Sequence, residues 1–131
     1  MQYAVATASK KGLADAGYQN NAWASWTPTR TSWTDVGSPT VTARYTQNGK
    51  LVFFQIKVVP GTTVATTAGT SYVSLPVAAG ASALAGEASM MNITTLVAVG
   101  TCAMDMANSR CYVPSQLATG NTLTIFGAYE V

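Results

Sequence analysis

Residues 41–59 read VTARYTQNGKLVFFQIKVV, and this stretch decides the fold class. Val41, Ala43 and Tyr45 alternate with Thr42, Arg44 and Thr46, the period of two that sends successive side chains to opposite sides of a strand. Asn48-Gly49 then offers two residues that tolerate positive φ, and a dense β-branched and aromatic run follows. Asn-Gly between two such runs is the strongest short-range signal for a β-hairpin. On the second arm Val52, Phe54, Ile56 and Val58 share one face, while Leu51, Phe53, Gln55, Lys57 and Val59 share the other. Apolar side chains on both faces require cover on both. Leu51 and Phe53 are therefore expected against a neighbouring subunit or the N-terminal residues, with Arg44, Lys50 and Lys57 marking the edge of that contact.

Working outward toward the C terminus, the chain keeps to short strands and turns. Pro60-Gly61 is a turn signal, Thr62–Ala68 reads as a strand, and Tyr72–Leu75 alternates until Pro76. The small residues AAGASALAG suit a loop that approaches another backbone closely, and Ala83–Met91 reads as a strand carrying a lone, solvent-facing Glu87. Between Thr95 and Met106, strict alternation predicts Leu96, Ala98, Gly100, Cys102, Met104 and Met106 on one face. A turn at Ala107-Asn108-Ser109 leads into a short strand ended by Pro114, then a loop, SQLATGN. The last strand, Thr122–Val131, puts Leu123, Ile125, Gly127 and Tyr129 together and Phe126 on the opposite face. Seven to nine short strands without a 3.6-residue period predict an all-β fold, an antiparallel β-sandwich or jelly roll.

Working toward the N terminus, Trp23, Trp26 and Trp33 fall close together, and Thr27–Thr31, with Pro28, suits an edge strand that can spare a ladder hydrogen bond. Two readings of the tryptophans stand side by side. Either they plug the end of a sandwich or a subunit contact, or they lie exposed and stack on a sugar ring. The first makes Trp23 and Trp26 contact residues together with Leu51 and Phe53. The second makes Trp33, Tyr72 and Tyr112 candidate glycan contacts. Residues 1–22 are rich in Ala, Gly, Asn, Gln and Ser, with only Tyr3, Val5, Leu13 and Tyr18 as sizeable apolar side chains. That is too little for a core, so the stretch reads as an arm that orders against another subunit or the domain. A short helix over Ser9–Ala16 is weakened by Gly12. The expected organisation is an arm at 1–22 and a β domain at 23–131.

Composition narrows the chemistry. Only 9% of the chain is charged, with seven basic and five acidic residues, net +2. Such a low-charge surface suits a subunit that hides much of itself against other chains. Histidine is absent, which removes the commonest general base and metal ligand, and the five carboxylates are scattered. Cys102 and Cys111, nine apart, do not match a zinc pair, and assembly in a reducing cytosol favours free thiols over a disulfide. Neither a G-x-S-x-G elbow nor a phosphate loop occurs, so no catalytic residue, metal or cofactor is expected. The dispersed lysines and arginines disfavour nucleic acid, no apolar run is long enough for a membrane helix, and the N terminus lacks a signal-peptide layout.

Trp26–Thr29 (W-x-P-T), Ala43–Val52 (A-R-Y-x-Q-x-G-K-x-V) and Val73–Pro76 (V-x-L-P) resemble the β-sandwich domains of tailed-bacteriophage virion surface proteins: capsid decoration subunits, head fibres and receptor-binding tips of tail fibres. The resemblance covers Trp23–Pro76 and, beyond it, only strand spacing and composition. It implies a homotrimer without cofactors, assembled in the host cytoplasm and seated on the virion surface. With only some twenty residues before the domain, the expected role is a capsid decoration, cement or short head-spike subunit that reinforces the head, its partners its own copies and the major capsid protein. The alternative is the tip of a tail fibre that recognises a host surface glycan.

Overall fold

The computed structural model describes residues 22–80 and 83–131, and every regular element among them is a strand. In chain order these are β1 (Ala24–Ser25), β2 (Arg30–Thr31), β3 (Thr34–Val36), β4 (Thr40–Asn48), β5 (Leu51–Val59), β6 (Thr63–Thr66), β7 (Tyr72–Ser74), β8 (Gly86–Asn92), β9 (Val97–Asp105), β10 (Arg110–Tyr112), β11 (Gln116–Thr119) and β12 (Leu123–Glu130). The arm expected at 1–22, its short helix, and Tyr3, Val5, Leu13 and Tyr18 lie outside the described residues. Nine strands form one antiparallel sheet in the order β1-β4-β5-β12-β8-β9-β10-β7-β2, and β11-β6-β3 form a second. The all-β antiparallel class is the one the sequence predicts. The strand number is higher, because β1, β2 and β3 are only two or three residues long and because SQLATGN is not all loop: Gln116–Thr119 pairs with β6.

The hairpin of β4 and β5 forms with Asn48 opposite Leu51, so the two-residue loop is Gly49-Lys50, one residue later than the Asn48-Gly49 expected. Gly49 has φ +60°. Positive φ at the first loop position alone is the pattern of a type II′ turn, whose twist matches that of the flanking strands. β5 then continues onto β12, with Ile125 opposite Ile56, and β12 continues onto β8, with Ile125 opposite Met90. Strand β12 is thus central, paired on both sides along nearly its whole length.

The sheet curls so that its inward side chains form one core. Val52, Phe54, Ile56 and Val58 from β5, Leu123, Ile125 and Tyr129 from β12, and Met90 from β8 are all essentially inaccessible. They meet Val73, Cys111 and Val113 from the other limb of the curl. Each such aliphatic or aromatic side chain contributes roughly 1.5–3 kcal/mol on burial. Phe54 and Tyr129 meet edge to face at 5.9 Å, and Tyr129 finishes its polar end on Val77, donating to the carbonyl (2.7 Å) and accepting from the N–H (3.0 Å). Gly127 is required where it stands: a Cβ there would lie 2.5 Å from the Ala88 Cβ and 2.8 Å from the Phe54 ring.

Strict alternation fails in β9. Ala88 faces Cys102 and Met90 faces Gly100, but Met91 faces Ala98, so one extra residue is inserted and the strand changes phase. Cys102 points into the core while Ala98 sits opposite the outward Met91, although the sequence put both on one face. Leu96 is not part of the strand; it lies in the preceding turn, 80% exposed, with φ +57°. The two cysteines are free and buried, side by side on β9 and β10. The hydrogen bond between them, and burial, push the Cys111 thiol up, which keeps it protonated.

The stretch around Pro28 does supply an edge strand, as predicted. β1 closes one edge of the nine-stranded sheet by pairing with β4, and β2 closes the opposite edge by pairing with β7. Both edges are therefore very short, a form that limits unwanted strand addition.

Candidate functional site

The pairing registers assemble two surfaces from residues far apart in sequence. The first is the outward face of β4, β5, β12 and β8. Arg44 stands opposite Gln55 and donates to it (Nε to Oε1, 2.9 Å), Gln55 stands opposite Phe126, and Phe126 opposite Ser89. In the neighbouring rows Phe53 faces Ala128, and Thr124 stands between Lys57 and Met91. Phe126 is 49% exposed, Leu51 43% and Met91 42%, and Phe53 is half-buried. Hollows of about 380 and 260 Å³ flank the Phe126 ring, the larger toward Arg44 and Lys57, the smaller toward Glu87 and Thr101. The expectation that Leu51 and Phe53 need cover thus meets a face that no described residue covers. Arg44 and Lys57 are among its central rows and do not mark its rim.

The tryptophans do not act as one cluster. The indole of Trp23 is 42% exposed beside this outward face, with the Arg44 guanidinium 4.8 Å from its ring centroid. Trp26 instead packs edge-on against Tyr45 (6.0 Å) and Phe54 (6.3 Å) inside the curl, and its buried indole N–H has no acceptor among the described residues. Trp26 is consequently a core residue and not an external contact. Sheet parity explains the split: β1 places alternate residues on opposite faces.

Trp33 belongs to the second surface, and there the sequence-predicted trio comes together. Tyr72 and Tyr112 are directly opposite on β7 and β10, their rings 5.1 Å apart and tilted by 51°. The Trp33 indole N–H donates to the Tyr72 carbonyl at 3.2 Å. Two arginines that sequence reading left scattered complete the group. Arg110 lies 4.6 Å over Tyr72, and its hydrogen bond with Tyr112, with Tyr72 nearby, shifts its pKa upward. Arg30 lies 5.3 Å from the Trp33 ring and forms a two-point ion pair with Asp35, both contacts 2.9 Å. Guanidinium on ring faces and ring on ring fix the aromatic side chains in place.

Among the described residues no group of three His, Cys, Asp or Glu side chains could hold a metal ion, and no helix is long and apolar enough to cross a membrane. Phe126, Met91 and the Arg44–Gln55 pair were missed by sequence reading. Their only signal was the polar-face parity of their own strands, which says nothing about which strands lie alongside. In comparisons with known proteins, no family model, curated protein or solved structure matches the chain.

Proposed function

We propose that this chain is a structural subunit of a bacteriophage virion, a homotrimeric decoration, cement or short head-spike protein that stabilises the head. The observation that carries the reading is the uncovered outward face of β4, β5, β12 and β8. It offers Phe126, Leu51, Phe53 and Met91 between Arg44, Lys57 and Glu87, on a chain with too few charges to favour life as a free monomer. An apolar centre interleaved with a few charges is the composition of a subunit contact, in which the apolar groups supply affinity and the charges fix register. Copies of the chain, related by symmetry, would cover this face, and residues 1–22 would anchor the assembly on the major capsid protein. The resemblance of Trp26–Thr29, Ala43–Val52 and Val73–Pro76 to virion surface domains supports the setting.

Two measurements test this. Electron microscopy of virions carrying a labelled subunit should place the label on the head. Deleting residues 1–22 should abolish attachment to expanded heads while the domain keeps its far-ultraviolet circular dichroism. Label on a tail fibre, or unchanged occupancy after the deletion, would refute the proposal.

A further inference from the structure

A third hollow, of about 400 Å³, opens on the other limb of the sheet and is lined by Ala68, Gly69, Thr101, Ala103, Tyr112 and Pro114. Its walls are held by hydrogen bonds that do not involve the hollow itself. The fully buried Ser71 donates through Oγ to the Ser32 carbonyl (2.6 Å) and accepts the Thr67 N–H (2.9 Å), and the Ser71 carbonyl accepts the Val113 N–H (2.9 Å). Ala68 N–H donates to Ser115 Oγ (2.8 Å), and Thr66 Oγ1 donates to the Pro114 carbonyl (2.7 Å). At the lip, Gly69 has φ +76° and no atom within 4 Å of where a Cβ would sit, so the entrance is open. The Tyr112 side chain is braced by Tyr72 and Arg110. A rim and an aromatic wall ordered in advance leave little conformational entropy to lose on binding.

We infer that this hollow binds an uncharged pyranose ring of a surface glycan. The chemistry of the lining selects that class. A pyranose has an apolar C–H face and a girdle of hydroxyls. Tyr112 supplies the aromatic wall for the face, Ala103 and Pro114 a small apolar shelf, and Thr101 an exposed hydroxyl for the girdle. The volume is at the low end of small-molecule sites, about 300–1,000 Å³, and suits one sugar ring, not a peptide segment. None of the lining residues is charged, so a sugar carboxylate would lose water there without gaining a cation. The site goes beyond the subunit-contact reading and does not rest on it: the outward face of β4, β5 and β12 contributes nothing to it.

The experiment uses the full chain in its native assembly. Saturation-transfer NMR with the methyl glycosides of glucose, galactose and N-acetylglucosamine, and with glucuronic acid, is read beside a glycan array. Binding of at least one neutral sugar is expected, with amide shifts on Gly69, Thr101 and Ala103. Ala103→Trp, which fills the hollow, and Thr101→Lys should each weaken binding about tenfold or more, whereas Phe126→Ser, on the outward face, should leave it unchanged. No neutral sugar bound, preference for glucuronic acid, shifts centred on Phe126, or undiminished binding in a folded Ala103→Trp or Thr101→Lys variant would each overturn the inference. The amide shifts are read on the parent chain and decide the matter even if a variant fails to fold.

Discussion

The phenol of Tyr129 illustrates how much one side chain can fix. Its ring is 1% exposed and its hydroxyl closes on both backbone groups of Val77, tying the 77–85 loop to the central strand. Tyr129→Phe keeps the packing but strands the Val77 N–H and C=O, and a loss of roughly 1–3 kcal/mol is expected in urea unfolding. Burial also pushes the Tyr129 pKa up to about 12 from its ordinary 10.0. The unfolded chain therefore releases this proton first. The stabilisation is complete below pH 10 and is lost as pH rises from about 10 to 12, since the unfolded state then binds fewer protons than the native one. The fall in urea midpoint over that window should be shallower in Tyr129→Phe. Gly127 carries the opposite constraint, an atom that must be missing. With the Glu87 carbonyl 2.6 Å from the position of a Cβ, Gly127→Ala forces backbone apart and should cost about 1–3 kcal/mol in the same assay.

At the scale of elements, the β4–β5 hairpin and the inward faces of β5 and β12 were readable because each depends on its own sequence: a period of two, a turn with Gly, and aromatic or β-branched residues. What the partner strand decides was not readable. The phase change in β9 depends on β8, since Met90 and Met91 face Gly100 and Ala98. Gln116–Thr119 becomes a strand only because β6 lies alongside, and nothing in SQLATGN demands it. The candidate surfaces divide the same way. Trp33, Tyr72 and Tyr112 were selected as exposed aromatics and do converge, whereas Phe126 became visible only once β12 was known to lie between β5 and β8. The turn itself makes a prediction. Because Gly49 sits at φ +60° with open space around it, only backbone strain opposes a side chain there. Gly49→Ala should lower stability by about 1–2 kcal/mol, and Gly49→Asn by less, in equilibrium urea titrations.

At the scale of the whole molecule, the outward face sets the association state proposed for this chain. Charging its apolar centre with Phe53→Lys and Phe126→Lys should turn a trimer into a monomer in sedimentation equilibrium, with an unchanged circular dichroism spectrum, because both side chains point away from the core. The place of β12 has a different consequence, one of timing. Strand β5 has its first partner as soon as the hairpin is made, and β8 can pair with β9, yet the two halves join only through Leu123–Glu130. While the chain is being synthesised, each half therefore presents a long unpaired strand edge until residue 130 has cleared the ribosome. Pairing across such sequence separation is slow to form. The cell must keep nascent copies apart through that interval, when one chain's β5 edge is as good a partner for another chain's β12 as for its own.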